Sequence, residues 1–419
     1  MDPRTWLAGW RKNDLFVPAF MRGFLYTVLM GSAIVSVPFI GTYGPAPITA
    51  FLDAWVIAFI LVCLSRGKVQ TKLILVALAA YLLASVIPVL ANWGPFEEFL
   101  RAYRWVFYLV AFAFAMGRKW GPVEPLIKVT WGLLGLATLK GLLTLVILGP
   151  GQRPGLLVES NFELALFSGL LLIVYRHMAR SGPWALGLLG LLSILAGSRS
   201  GAVAFAIVAI YAIILARPVH RLTRYLRVLA IPVLLGVPIA IFTMRALATS
   251  LPIDRLRFLT VFIDETRGWT WVTWLIGTPP LTPLSSEGCE QLSFYQSLFS
   301  FAGDGACYSV IFHAFFLRVI FDAGVIGLLI SLLVPWYLMR RARVQFMLAG
   351  ALMLVAISNG LSVSGFNSPF VTMPILLAML LAADNQRPNS AERADQRTDG
   401  ASAEGLTATL PRERARWPN

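Results

Sequence analysis

Apolar positions fill this chain in long continuous runs, and short polar breaks separate one run from the next. A helix needs roughly 20 apolar residues to cross about 30 Å of hydrocarbon. Runs of this kind, several of them shorter, recur along almost the whole chain and predict about twelve transmembrane helices. They lie at about 18–40, 48–64, 73–90, 103–117, 126–148, 161–175, 183–197, 201–216, 228–243, 314–338, 344–359 and 369–383. The expected fold class is all-α, a polytopic integral membrane protein.

Composition supports the membrane class and divides the chain in two. Of the 419 residues 58% are hydrophobic and 13% are charged, which excludes an ordinary soluble domain. Residues 1–383 form the predicted multi-span domain. The polar segment 384–419 is rich in Arg, Ala, Glu and Pro and lacks apolar periodicity, so it is expected to be a disordered cytoplasmic tail.

The net charge of +14 is explained by the distribution of Lys and Arg among the connections. Cytoplasmic loops of membrane proteins carry an excess of these residues. Alternate connections fit that rule, which predicts that both termini are cytoplasmic; the charge therefore does not point to nucleic acid as a partner. The basic residues of those connections include Arg66, Lys68, Lys72, Arg118, Lys119, Arg176, Arg180, Arg217, Arg221, Arg224, Arg227, Arg340, Arg341 and Arg343.

One connection, at about 243–312, is much longer than the others, and the charge rule places it on the non-cytoplasmic face between spans 9 and 10. Within it, Ile253–Ile263 has the pattern of a helix lying on a membrane surface. Trp269, Trp271 and Trp274 follow, as in the aromatic belts that sit at lipid headgroups. Membrane lipids are accordingly expected partners of this segment.

Cys289 and Cys307 both lie in this long connection. In an oxidising periplasm they are candidate disulfide partners, and two free thiols are the alternative. Neither has a His or a further Cys at zinc-ligand spacing, and no phosphate-binding Gly-rich loop is visible, so no metal and no cofactor is predicted.

Arg199 is the most informative ionisable residue of the sequence. It lies in the polar break Ala196–Gly201 between two apolar runs, on the face where the chain otherwise has few positive charges. A guanidinium in such a place is costly unless it binds a partner, so Arg199 is a candidate binding residue. Glu163, at the start of the run from residue 161, and Arg104 and Arg153 are candidate substrate contacts on the same face.

His313 ends the long connection where the next apolar run begins, at the predicted boundary of water and lipid. From the residues alone it is either a chemical group or an interfacial structural histidine. Arg318 and Asp322 follow four residues apart, a spacing that brings them to one face of a helix. A structural ion pair is the favoured interpretation there, and a proton relay the alternative.

Three motifs carry a resemblance to a known family. His313-Ala314, then nine residues, then Gly324–Gly327 resembles the signature of bacterial O-antigen ligases and Wzy-type polysaccharide polymerases. The turn Ser198–Gly201 is similar to the segment that holds that superfamily's arginine, and Arg267 ahead of Trp269–Pro280 is similar to its second arginine. The resemblance covers roughly residues 155–340. Gly324 and Gly327 are interpreted as positions of close helix packing.

The resemblance implies an inverting glycosyl transfer without a metal at the periplasmic face of the bacterial inner membrane. The donor would be a glycan on a polyprenyl diphosphate, and the acceptor a glycan or lipid A core. His313 would act as the base, because an imidazole with a pKa near 6.5 suits the deprotonation of a hydroxyl. Arg199 and Arg267 would hold the leaving diphosphate through their forked guanidinium groups.

Three functions are weighed. The favoured one is a polymerase that joins lipid-linked repeat units into exopolysaccharide or O-antigen, with a chain-length regulator as an expected partner. The second is the O-antigen ligase, which uses the same donor and a lipid A core acceptor. The third is a transporter or flippase for lipid-linked sugar, which predicts charged residues along a path through the mid-membrane and similarity between two halves of the chain.

Overall fold

The computed structural model describes residues 16–66, 70–91, 95–149, 152–215, 236, 254–294, 300 and 305–384. We number the helices in chain order. Up to residue 215 they are α1 (Ala19–Ser36), α2 (Ile48–Ser65), α3 (Lys72–Ala91), α4 (Phe96–Ala102), α5 (Arg104–Ala115), α6 (Glu124–Leu148), α7 (Ser160–Val174), α8 (Gly182–Ala196) and α9 (Arg199–Leu215). After residue 250 they are α10 (Asp254–Thr266), α11 (Trp271–Ile276), α12 (Ser286–Gln291), α13 (Phe315–Arg341), α14 (Phe346–Gly360) and α15 (Pro369–Asp384).

The apolar runs of the sequence coincide with helices. Each predicted run matches a helix to within a few residues at either end, except 228–243, which apart from residue 236 lies outside the described residues. In the described part of the chain, 5 helices are long and apolar enough to cross a membrane, namely α1, α2, α3, α6 and α13. Shorter apolar helices are α5, α8, α9, α14 and α15. The all-α prediction is confirmed for the described residues, where no strand occurs. Residues 385–419 of the predicted tail are outside them.

Burial differs sharply between the helices and explains why they assemble. In α7 the side chains from Leu164 to Val174 are all buried, and the helix packs against α6, α8, α9 and α14. By contrast, α3 buries few residues, and Leu73 is 83% exposed. A helix that is apolar all round belongs in a protein core or in lipid. The burial of α7 fits a helix in the protein core, and the exposure of α3 fits a helix that faces lipid.

The helices alternate in direction, so the bundle has two distinct ends. At one end, which we call the basic end, the backbone N–H of Val17 donates to the carbonyl of Lys119, and the guanidinium of Arg176 donates to the Gln345 side chain. The opposite end, which we call the cavity end, carries the first turns of α2, α5, α7, α9, α13 and α15. The basic connections of the described sequence therefore lie together, as the charge pattern predicts for one side of a membrane.

The described part of the long connection folds at the cavity end around a small apolar core of its own. Phe258, Val261 and Phe262 of α10 pack there with Leu284 and Phe312. The outward-facing side of α10 keeps apolar groups exposed, and Trp271 of α11 is 75% exposed. This two-sided pattern agrees with a segment that packs on the protein and faces lipid headgroups.

Candidate functional site

A cavity of about 160 Å³ lies at the cavity end of the bundle. Segments distant in sequence surround it: the first turns of α2 and α5, the connection before α7, and the connection between α14 and α15. Its lining residues are Thr49, Arg104, Val158, Glu159, Phe162, Ser364, Asn367, Ser368 and Phe370. Of the residues predicted from the sequence, Arg104 lies directly in this cavity.

The charged groups around the cavity form ion pairs. The guanidinium of Arg104 lies 3.4 Å from a carboxylate oxygen of Asp53, whose other oxygen accepts a 2.5 Å hydrogen bond from the hydroxyl of Tyr108. Arg153 is also predicted as a substrate contact, and its guanidinium lies 3.8 Å from a carboxylate oxygen of Glu159. Each cation is thus matched by an anion, and the cavity has balanced charge.

A hydrogen-bond network connects the cavity with the turn that carries Arg199. The hydroxyl of Ser198 donates to the side-chain oxygen of Asn161 over 2.6 Å, and the amide nitrogen of Asn161 donates to Glu159 over 2.5 Å. Asn359, at the end of α14, donates to the backbone carbonyl of Asn161. These polar groups are mostly buried, so their hydrogen bonds fix the position of the turn.

Arg199 is the first residue of α9 and is half-buried. The positive end of a helix dipole disfavours a cation by about 0.3–1 kcal/mol and favours an anion by a similar amount. A guanidinium at that position, beside the polar network, favours a function in anion binding.

Glu163 is placed differently from what the sequence led us to expect. Its side chain is buried, and one carboxylate oxygen accepts hydrogen bonds of 2.8 Å from the backbone N–H groups of Leu156 and Leu157. Glu163 holds the connection that carries Val158 and Glu159 and does not line the cavity, and its role as a substrate contact stays a prediction. That carboxylate is engaged by the backbone, which is why it does not face the cavity.

Lys140 supports a second connection at the same end and was not predicted from the sequence as a site residue. Its buried ammonium group donates to the hydroxyl of Ser36 over 2.8 Å and to the carbonyl of Thr42 over 2.9 Å. The connection after Ser36 leads to Thr49 in the cavity wall. A Lys in the middle of the apolar run 126–148 was the signal that could have identified it.

His313 lies just before α13 and is half-buried. Its ring makes an edge contact with Phe258 of α10, with ring centroids 5.7 Å apart. Two residues later the backbone N–H of Phe315 donates to the carbonyl of Val363 over 3.0 Å. Val363 is the neighbour of Ser364 in the cavity wall, so the connection between α14 and α15 contacts both the His313 segment and the cavity.

The structure joins Cys289 and Cys307 in a disulfide with a Cα–Cα distance of 5.8 Å. The backbone N–H of Leu284 donates to the carbonyl of Cys307 over 2.9 Å in the same region. These links hold α12 against the segment that leads into His313.

Arg267 lies apart from the cavity. It follows the last turn of α10, its side chain is 76% exposed, and among the described residues it pairs with Asp264 at 2.9 Å. The start of α10 contacts His313 through Phe258, and nine residues of helix separate Phe258 from Arg267 by about 13 Å. Arg267 is not among the residues that line the cavity, and its place in a two-arginine clamp for the diphosphate stays a prediction.

Gly324 is a break within α13, which the sequence did not predict, and the end of α11 approaches its backbone closely. Its backbone has φ 65° and ψ −172°, and a side chain there would meet the carbonyl of Leu275. Thr278 donates both its backbone N–H and its hydroxyl to the carbonyl of Phe321. Two motifs of the family resemblance thus meet at this break.

Arg318 and Asp322 form the buried pair that their spacing predicts, with 3.9 Å between Nε of Arg318 and the Oδ2 carboxylate oxygen of Asp322. The same carboxylate oxygen of Asp322 accepts a 2.7 Å hydrogen bond from Ser309, and Arg318 donates to the carbonyl of Arg101. Asn367 also donates to that carbonyl. The pair ties α13 to the last turn of α4, which supports the structural interpretation.

Several residues of the cavity wall were missed because their positions depend on long-range packing. Ser364, Asn367 and Ser368 of the wall did not stand out along the chain, and neither did Asp53, which pairs with Arg104. The polar break between α14 and α15, Ser362–Ser368, carried a signal, because it separates two apolar runs on the same predicted face as Arg199.

No known family model matches the chain, and no curated protein matches it.

Proposed function

We propose that this chain is an inner-membrane polysaccharide polymerase of the O-antigen ligase and polymerase type. It joins oligosaccharide repeat units carried on polyprenyl diphosphate into exopolysaccharide or O-antigen. In this proposal the chain has twelve spans with both termini in the cytoplasm, and the cavity end faces the periplasm. The basic end then faces the cytoplasm, in agreement with the charge rule.

One observation carries the proposal: a continuous set of contacts links the turn that holds Arg199 to the segment that holds His313 at the cavity end. Ser198 donates to the side chain of Asn161, and Asn359 near the end of α14 donates to the carbonyl of Asn161. In the connection after α14, the carbonyl of Val363 accepts from the backbone N–H of Phe315, two residues after His313. A group that holds an anion and a group that takes a proton are the two requirements of metal-free glycosyl transfer from a diphosphate.

The chemistry follows from these two groups. An imidazole nitrogen of His313 accepts the proton of an acceptor hydroxyl, and the hydroxyl oxygen forms a bond to the anomeric carbon of the donor. The bond from that carbon to the diphosphate oxygen breaks, and its electron pair leaves with the lipid diphosphate. Arg199, assisted by the positive end of α9, stabilises this developing charge. Attack opposite to the leaving group inverts the anomeric configuration.

The arrangement favours an enzyme over a flippase. Arg104, Arg153, Glu159, Arg199 and His313 all belong to the cavity end of the described bundle. A flippase needs polar groups along a path through the mid-membrane. The ligase keeps the same donor site and differs in its acceptor, so the acceptor is tested directly.

The test uses the full chain reconstituted in vesicles with a short polyprenyl-diphosphate-linked oligosaccharide. We expect longer lipid-linked glycans to form in the presence of a chelator and to disappear with His313→Ala. The matched control is His177→Ala, because His177 is exposed at the basic end. Transfer only to added lipid A core would identify the ligase instead. Polymer formation by a well-folded His313→Ala protein would remove His313 as the base, and absence of any transfer by the unaltered chain would reject the enzyme.

A further inference from the structure

We propose that the cavity at the cavity end binds one neutral sugar ring of the substrate, while the diphosphate lies outside it. The naming of a glycan as the substrate rests on the proposed function. The existence of a sugar-binding cavity rests on the lining residues themselves, and can be tested without any transfer reaction.

The charge around the cavity argues against a phosphate as its occupant. Arg104 is paired with Asp53, and Glu159, which also lines the cavity, is paired with Arg153. A phosphate placed here would lie close to the Glu159 carboxylate, and it would compete with Asp53 for the guanidinium. Like charges at short distance are unfavourable in a partly buried site. A neutral ligand encounters no such penalty.

The chemistry of the wall matches a sugar ring. Phe162 and Phe370 lie with their ring centroids 6.3 Å apart and form an apolar part of the lining. The carboxylate of Glu159 accepts hydrogen bonds, and the hydroxyl of Ser364 both donates and accepts them. A pyranose ring has the same two sides, since its C–H face is apolar and its hydroxyls surround the edge. An apolar lining with a few placed polar groups is the usual form of a small-molecule site.

The size of the cavity restricts the ligand to a single ring. Its volume of about 160 Å³ is smaller than that of pockets for drug-sized ligands, which hold roughly 300–1,000 Å³. The half-buried side chains of Arg104, Glu159 and Ser364 leave the cavity accessible from outside. The rest of a glycan would therefore extend out of the cavity.

The cavity is also close to the proposed reaction centre. Glu159 accepts a hydrogen bond from Asn161, which accepts one from Ser198 beside Arg199. A sugar held by Glu159 would thus have its position fixed relative to Arg199 through the side chains of Asn161 and Ser198. This separates two tasks: the cavity selects the sugar, and Arg199 holds the anion.

The test measures binding of free sugars to the full chain in detergent by saturation-transfer NMR. The probes are the methyl glycosides of glucose, galactose and N-acetylglucosamine, each with and without inorganic diphosphate. We expect at least one glycoside to bind, and Phe162→Leu to weaken its affinity about tenfold through loss of the aromatic surface. Glu159→Gln, a change on the half-buried rim that keeps the size of the side chain, should weaken it severalfold. Diphosphate should not displace the sugar.

Phe346→Leu is the matched control, because Phe346 is 62% exposed at the basic end. The proposal fails if none of the three glycosides binds, if diphosphate displaces them, or if Phe162→Leu and Glu159→Gln both bind as the unaltered chain does. Thermal unfolding of each variant shows whether it is folded. Sugar binding without glycan transfer would reject the proposed function alone. This inference alone would be rejected if no sugar binds and if glycan transfer is unchanged in Phe162→Leu and Glu159→Gln.

Discussion

Gly277 lies directly against the backbone of Gly324, so that a Cβ on Gly277 would stand 2.7 Å from the amide nitrogen of Gly324. The contact joins the end of α11 to the break in α13. Because Gly324 interrupts the helix, the carbonyl of Phe321 is available to Thr278, which donates to it twice. The long connection is thereby attached to α13 at Phe321, about two helical turns beyond His313.

Gly324→Ala should destabilise the protein. Its φ and ψ angles fall in a region that only glycine adopts readily, and the added Cβ would meet the backbone of Leu275. Strain of this kind costs about 1–3 kcal/mol. We expect a lower melting temperature of the purified protein in detergent, measured by intrinsic fluorescence.

Gly350→Ala is the matched control for this substitution. Gly350 lies within α14, and a Cβ there would meet no atom within 4 Å. Alanine is favoured over glycine inside a helix by roughly 0.5–1 kcal/mol, so this variant should be as stable as the original chain or more so. Equal destabilisation by both substitutions would show that the break at Gly324 is not required.

The helices could be predicted from the sequence because each apolar run must satisfy its own backbone hydrogen bonds within the membrane. The break at Gly324 could not, since a Gly-x-x-Gly pattern is equally typical of close helix packing. The pairing of Arg104 with Asp53 and the bond from Ser198 to Asn161 join residues far apart along the chain. Such contacts depend on how the helices pack, and spacing in the sequence does not reveal them.

Glu163→Ala should reduce both stability and activity. The substitution leaves the backbone N–H groups of Leu156 and Leu157 without their acceptor, and a buried unsatisfied donor costs about 1–3 kcal/mol. Glu163→Gln keeps an oxygen that can accept, so we expect it to retain most of the stability and of the transfer activity. The measurements are thermal unfolding and the vesicle assay. A stable but inactive Glu163→Gln protein would instead indicate that the carboxylate acts on the substrate.

Arg199 and Arg267 should respond differently to replacement by lysine. Arg199→Lys keeps the charge but loses the planar guanidinium fork, and with it a hydrogen bond to the diphosphate. Because a hydrogen bond to a charged group contributes about 1.5–3 kcal/mol, the rate of glycan transfer should fall tenfold or more. Arg267 is largely exposed and paired with Asp264. Since exposed ion pairs contribute about 0–1 kcal/mol, the rate of glycan transfer should fall less than about fivefold in Arg267→Lys.

The assay for this pair of variants is the rate of glycan transfer at saturating and at low donor concentration. Arg176→Lys, at the exposed basic end, serves as the control for general effects of the substitution. An equal loss for Arg199→Lys and Arg267→Lys would favour the two-arginine clamp suggested by the family resemblance. A fully active Arg199→Lys protein would show that only its positive charge is needed.

The last prediction concerns the two sides of the membrane. In the described structure Thr42 is an exposed residue of the cavity end, and Arg180 is an exposed residue of the basic end. We expect Thr42→Cys to react with a membrane-impermeant maleimide in intact spheroplasts, and Arg180→Cys to react only after the membrane is opened. The background needs Cys63→Ala alone, because Cys289 and Cys307 are joined in a disulfide. Labelling of Arg180→Cys but not Thr42→Cys in intact cells would place the cavity on the cytoplasmic side. Arg199 and His313 would still share one end of the bundle, but a periplasmic glycan could not reach them across about 30 Å of hydrocarbon.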